Sequence, residues 1–192
     1  METFHSPQGE FTLARWPLRK NDVLRAWDAA DEYLLNFLSE QNLPVTGSKV
    51  LVVNDAFGAL SCALSNFDLS TWSDSKISHL AIAENLKTNI AESENQPSDM
   101  TINYLKSTGL PTQRYDLVLI KIPKTMALLE DQLIKLKPQL TDSTLVIAAG
   151  MVKHLPKSAF QLFEKHTGPL TTSLAKKKRV CCSLNLTFLC LL

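Results

Sequence analysis

Residues Lys49–Leu64, KVLVVNDAFGALSCAL, decide the fold. An apolar run of strand length, Lys49–Val53, leads through a short turn, Asn54–Gly58, into an apolar helical segment, Ala59–Leu64. That order is the outline of the first strand, turn and helix of a nucleotide-binding α/β sheet. Most of the residues such a turn uses are missing. A backbone that wraps a phosphate or an adenosine needs glycines, because a Cβ blocks its approach and disfavours positive φ. Set against a D-x-G-x-G-x-G loop, the acid falls at Val52, the first two glycines at Asn54 and Ala56, and only the third is met, by Gly58. The stretch reads as a fold retained with a degenerate cofactor loop.

Elements on either side extend the pattern. Upstream, Phe11–Pro17 alternates and stops at proline, as a short edge strand does. A helix is predicted from an N-cap at Asp22, with Leu24, Trp27, Leu34 and Leu38 at helical spacing and Tyr33 and Phe37 widening the face, to end near Pro44 and Gly47. Downstream, Leu69–Trp72 reads as a strand closed by Asp74, and Ser75–Asn89 as a helix with Ile77, Leu80, Ile82 and Leu86 apolar. Thr101–Tyr104 is a weaker strand, and Asp116–Ile122 (DLVLIKI), ended by Pro123, the strongest. Thr125 then caps a helix through Lys137 that buries Leu128, Leu129, Leu133, Ile134 and Leu136. Thr144–Ala149 is a buried strand and Ser158–Lys165 a helix. Strands alternating with helices require crossover connections, so the fold class is α/β with a mostly parallel, doubly wound sheet. Phe11–Pro17 and Thr171–Val180 are expected as edge or antiparallel additions.

At 192 residues and 45% apolar composition the chain suits one domain with a sizeable core. No apolar run reaches the ~20 residues of a bilayer-spanning helix, and the amino terminus lacks a signal profile, so a cytoplasmic location is expected. Of the four cysteines, Cys62 stands alone and Cys181, Cys182 and Cys190 crowd the carboxyl end without zinc spacing; the four histidines are scattered, and no metal site is expected. The net charge of +1 hides a polarity. Residues 1–100 hold 7 Lys/Arg against 14 Asp/Glu, and residues 101–192 hold 13 against 5. Lys153, Lys157 and Lys176, Lys177, Lys178 and Arg179 are candidates for a phosphate-neutralising patch, or for an ordinary solvated surface.

With RAWDAADEYLL, KVLVVNDAFGALSCAL, STWSDSKISHLAIAENL, YDLVLIKIPKTMALLEDQL and FEKHTGPLTTSLAKKK in this order, the chain resembles the amino-terminal domain of RlmG-type large-subunit (23S) rRNA guanine-N2 methyltransferases. It resembles, less closely, the matching half of RsmC-type small-subunit enzymes. The resemblance runs from about Phe11 to Lys178 and implies a Rossmann-like methyltransferase fold. In that family a degenerate first domain serves folding and RNA recognition, while a second binds S-adenosylmethionine (SAM) and carries the chemistry. Neither the glycine-rich loop nor the N-P-P-F/Y motif of that second domain occurs here. The resemblance therefore implies residues 1–179 as the degenerate domain and residues 180–192 (VCCSLNLTFLCLL) as an atypical apolar tail where the family's linker begins. A truncated product would look like this, and so would a lineage-specific tail. The tail is expected to add to the sheet edge or to remain poorly ordered, with the strand preferred.

Lys121-Ile122-Pro123-Lys124 stands where amino-directed methyltransferases carry [N/D]-P-P-[F/Y]. Lys121 replaces the acceptor and Lys124 the stacking ring. A protonated lysine has donors only and cannot hold an exocyclic amine, so no catalytic residue is expected here. Both lysines are candidates for RNA phosphates or for a solvated rim. Asp74 falls where an acid binds ribose hydroxyls in working methyltransferases, and it also suits a cap on the helix from Ser75. Asn54 and Asp55 are read as turn residues, and Gly58 as packing helix on strand. The expected function is rRNA recognition and scaffolding for a catalytic domain absent from this chain, with no cofactor bound here and no membrane. The alternatives are a stand-alone SAM-dependent methyltransferase with a divergent pocket and a protein-interaction module.

Overall fold

The computed structural model describes residues 1–18, 23–91, 102–150, 156–174 and 187–191. The chain opens with a hairpin, β1 (Glu2–Ser6) and β2 (Gly9–Leu13), paired antiparallel from Glu2 opposite Leu13 to Ser6 opposite Gly9. Helix α1 (Ala29–Glu40) follows, then β3 (Lys49–Val53), α2 (Ala59–Ala63), β4 (Asp68–Ser73), α3 (Lys76–Ala91) and β5 (Asn103–Lys106). After these come β6 (Leu117–Lys121), α4 (Met126–Leu136) with a 3-10 turn at Lys137–Gln139, β7 (Leu145–Gly150), α5 (Lys157–Thr167), β8 (Leu170–Leu174) and β9 (Thr187–Leu191). Among the described residues, β3 to β9 form one seven-stranded sheet in the order β5-β4-β3-β6-β7-β9-β8. Every pair in it is parallel.

Strand alternation divides the core in two. Val50, Val52, Leu117, Leu119, Ile147 and Ala149 face α1, α2 and the buried Ile82 and Leu86 of α3. Leu51, Val53, Val118, Ile120, Val146 and Ala148 face Leu129, Leu133 and Leu136 of α4 and Ala159 and Phe163 of α5. A sheet covered on both sides explains why its central strands read as unbroken apolar runs. Fully burying each Val, Leu, Ile or Phe side chain among them contributes roughly 1.5–3 kcal/mol. The chain winds from β3 outward to β5 and then crosses to β6 on the other flank of β3. That reversal places a crevice at the carboxyl ends of β3 and β6, where open α/β sheets hold their ligands.

The ends differ from expectation in several places. The alternating segment expected from Phe11 is β2, which pairs with the unforeseen β1 and stands apart from the main sheet. Helix α1 is capped by Asp28, with extended φ of −129°, rather than by Asp22, which lies outside the described residues, and it stops at Glu40. On α3, Ile77 and Leu80 are exposed while Ile82 and Leu86 are buried; on α4, Ile134 is exposed. Thr125 occupies the cap position of α4 without a side-chain hydrogen bond. Within the segment expected over Thr171–Val180, residues 175–180 lie outside the described ones. β8 is parallel, and β9, from the tail, sits between β7 and β8 rather than at the edge.

Candidate functional site

The crevice between the ends of β3 and β6 is built from the turn after β3. Asn54 takes the left-handed conformation, φ 63°, which a short amide side chain tolerates. Its Nδ2 donates to the Lys121 carbonyl at 3.0 Å and to Gln132 Oε1 at 2.9 Å, while Gln132 Nε2 donates back to Asn54 Oδ1 at 2.8 Å. Gln132 is the buried polar position on the apolar face of α4. Asp55, 2% exposed, accepts from the Gly58 and Ser61 amides, each at 2.9 Å, and from Ser61 Oγ at 2.7 Å. The turn is thereby closed on itself. Asn85 of α3 ties its roof by donating to the Phe57 carbonyl at 2.6 Å.

Gly58 is required on two counts. Its φ is 98°, and a Cβ there would lie 3.2 Å from Ile82 Cα on α3. The nearest atoms belong to Ile82 of α3 and Cys62 of α2, so the close approach is of two helices to the turn rather than the expected packing of helix on strand. Val52, at the position of the loop's acid, is buried in the core, and Ala56 is half-buried in the turn.

Lys121 closes the other side. Its Nζ donates to Asp31 Oδ2 at 2.7 Å and to Asp28 Oδ2 at 3.1 Å, and its side chain is only 12% exposed. Asp28 and Asp31 form the capping box of α1: Asp28 Oδ1 accepts from the Ala30 amide at 2.9 Å, and the Asp28 amide donates to Asp31 Oδ2 at 2.9 Å. Asp31 Oδ1 is buried without a partner. Burial raises the Asp31 carboxyl to about 6; Lys121 opposes that shift, and the carboxylates of Asp55 and Asp28 reinforce it. Burial works against the Lys121 charge, yet Asp31 and Asp28 outweigh it and hold the ammonium above its ordinary range.

This corrects the reading of Lys121 as an RNA contact: it is an internal counter-ion that ties α1 to the end of β6. Lys124 and Lys157 are exposed. Lys153 and Lys176, Lys177, Lys178 and Arg179 lie outside the described residues. Asp74 is exposed, and Ser75 caps α3 in its place, its Oγ accepting from the Ser78 amide at 3.1 Å. Among the described residues no group of three or more His, Cys, Asp or Glu is arranged to hold a metal, and no helix is long and apolar enough to cross a membrane.

Sequence reasoning missed Asp28, Asp31 and Gln132. D-x-x-D before an apolar periodic run is a capping-box signal, and Gln132 interrupts the apolar face of α4. Neither shows that the residues meet in one crevice.

A parallel, doubly wound sheet whose switch-point crevice is lined with its own hydrogen-bonded polar side chains defines a Rossmann-like fold. The description "RLMG N-terminal domain" matches residues 1–183, and the chain belongs to that family. Its curated relatives include the ribosomal RNA large subunit methyltransferases G of Pseudomonas fluorescens strain Pf0-1, 45% identical, and Ectopseudomonas mendocina, 44% identical, each over 93% of this chain and 46% of the relative. That of Streptomyces coelicolor is 43% identical over 90% of this chain and 44% of the relative. The chain thus spans just under half the length of the curated relatives it matches.

Proposed function

We propose that this chain is the non-catalytic, RNA-recognising part of a SAM-dependent large-subunit (23S) rRNA guanine-N2 methyltransferase, working in the cytoplasm with a carboxy-terminal SAM-binding domain. Residues 1–179 act as the recognition and scaffolding unit, and residues 180–192 stand where the connection to the catalytic domain begins. One observation carries this reading: the polar groups of the crevice are paired within the protein, Asn54 with Gln132 and the Lys121 carbonyl, Asp55 with Gly58 and Ser61, and the Lys121 ammonium with Asp31 and Asp28. A cofactor would have to break these bonds, and each buried polar group left unpaired costs about 1–3 kcal/mol. Lys124, Lys157, Lys153 and Lys176–Arg179 supply cations toward phosphate, and at the end of β6 Lys121, whose ammonium only donates, stands in place of an acceptor for a target amine.

Titration calorimetry with SAM and with its demethylated product tests the cofactor half. No heat of binding is expected. A dissociation constant tighter than about 100 μM, roughly −5.5 kcal/mol, would instead make the chain a stand-alone methyltransferase with a divergent pocket. Methylation of large-subunit rRNA by a separately produced carboxy-terminal domain, compared with and without this chain, tests the recognition half; a rate that does not rise counts against it.

A further inference from the structure

In a parallel sheet every strand ends at the same edge, so residues that follow the strands gather there whatever their distance in sequence. Lys106 is the last residue of β5; Lys76 opens α3, just after β4; Lys124 follows β6; and Lys157 opens α5, the helix after β7. All four are exposed. None carries an ion pair among the described residues, whereas Lys87, Lys121, Lys135 and Lys165 are each held by a carboxylate. Neighbouring strands lie about 4.8 Å apart, so a rim from β5 to β7 runs across roughly 19 Å.

The centre of this edge is where acidic residues concentrate. Asp28, Asp31 and Asp55 converge on the crevice, and Asp74 is exposed beside Lys76. Lys121 neutralises part of that charge from within. Free lysines are therefore set around a crevice whose own side chains are hydrogen-bonded across it, an arrangement that meets a charged backbone from outside.

We propose that Lys76, Lys106, Lys124 and Lys157 form a rim that receives the phosphate backbone of ribosomal RNA along the carboxyl edge of the sheet. This rests on the reading above that the chain recognises rRNA, and it adds Lys76 and Lys106, which lie outside the basic clusters of the sequence. Contacts of this kind position an RNA without reading its bases.

Fluorescence-anisotropy titration of the whole chain with a labelled transcript from large-subunit rRNA, over a salt series, tests the rim. The Lys106→Glu/Lys124→Glu variant is expected to bind about 10-fold or more weakly and to lower the log–log salt slope by roughly 1.5 to 2. Lys49→Glu/Lys137→Glu, at the opposite edge, is expected to bind within about two-fold of the unmodified chain. Thermal melts of both variants separate lost contact from lost fold. If the unmodified chain binds but the two variants are indistinguishable, the rim is wrong and rRNA recognition stands. If the unmodified chain does not bind RNA at low salt, the recognition reading itself falls, and the rim with it.

Discussion

Lys121 Nζ lies 2.7 Å from Asp31 Oδ2, joining the last residue of β6 to the first turn of α1 across 90 residues of sequence. Burying either charge alone is expensive, and breaking such a pair by removing one partner typically costs about 3–5 kcal/mol. Lys121→Met keeps the stem and removes the ammonium, leaving Asp28 and Asp31 facing each other near Asp55. Urea unfolding at neutral pH should show a loss of that order. Lys121→Met/Asp31→Leu should recover part of it, because the Asp31 charge is no longer stranded while the Asp28 amide loses its capping-box acceptor. An unchanged midpoint in the single variant would mean the pair does not hold α1 to the sheet.

Asp31 also sets a pH dependence whose sign follows from its environment. Its carboxyl titrates at about 6 when folded, against an ordinary value of 3.8, because burial disfavours the anion. The folded state therefore binds a proton more readily than the unfolded chain. The stability this provides is fully present below the ordinary value and is lost as pH rises through about 6. Comparison with Asp31→Asn isolates the effect: the parent should gain stability relative to the variant as pH falls from 7 toward 4. Urea midpoints across that range measure it, and parallel profiles would show that Asp31 does not titrate there.

How far the sequence carries is clearest at β3. Lys49–Val53 was legible to the residue because a run of Val and Leu buried on both faces admits one reading, and the degenerate loop followed from the missing glycines. Elsewhere local signals were ambiguous. Asp22 and Asp28 are both competent caps, and Leu24 and Trp27 continue the helical spacing; partnership with a lysine on a distant strand goes with the start at Asp28. β1 buries only Phe4, too little alternation to be seen. The place of the crevice was legible from the turn after Val53, but which side chains meet in it was not, since Asn54 and Gln132 stand 78 residues apart.

The hairpin is held by two amides acting as a substitute strand. Asn89 accepts from the Thr12 amide at 2.8 Å and donates to the Thr12 carbonyl at 2.9 Å; Asn85, one helical turn earlier, accepts from the Ala14 amide at 2.9 Å and donates to the Ala14 carbonyl at 2.8 Å. Residues two apart on a strand and four apart on a helix each share a face, so the spacings match. Asn85→Leu leaves the Ala14 groups and the Phe57 carbonyl unpaired, and a loss of about 1–3 kcal/mol is expected. Hydrogen exchange at Ala14 should accelerate with it. Retained protection would show that Asn89 and the remaining contacts hold the hairpin without Asn85.

Gly58 links the turn to α3 and gives the sharpest steric prediction. Alanine at this position needs φ near 98°, a region disfavoured for L residues by about 1–2 kcal/mol, and it places a Cβ 3.2 Å from backbone rather than from a flexible side chain. Neither α3 nor the turn can yield cheaply: Asn85 holds the Phe57 carbonyl, and Asp55 holds the Gly58 amide. Gly58→Ala should therefore destabilise by about 1–3 kcal/mol. The control is Gly47→Ala, which shares a positive φ of 83° but has nothing within 4 Å of the added carbon, so its loss reports conformational strain alone. A Gly58→Ala loss no larger than that of Gly47→Ala, read from denaturant midpoints, would show that α3 moves aside freely. The turn would then be softer than its hydrogen bonds imply.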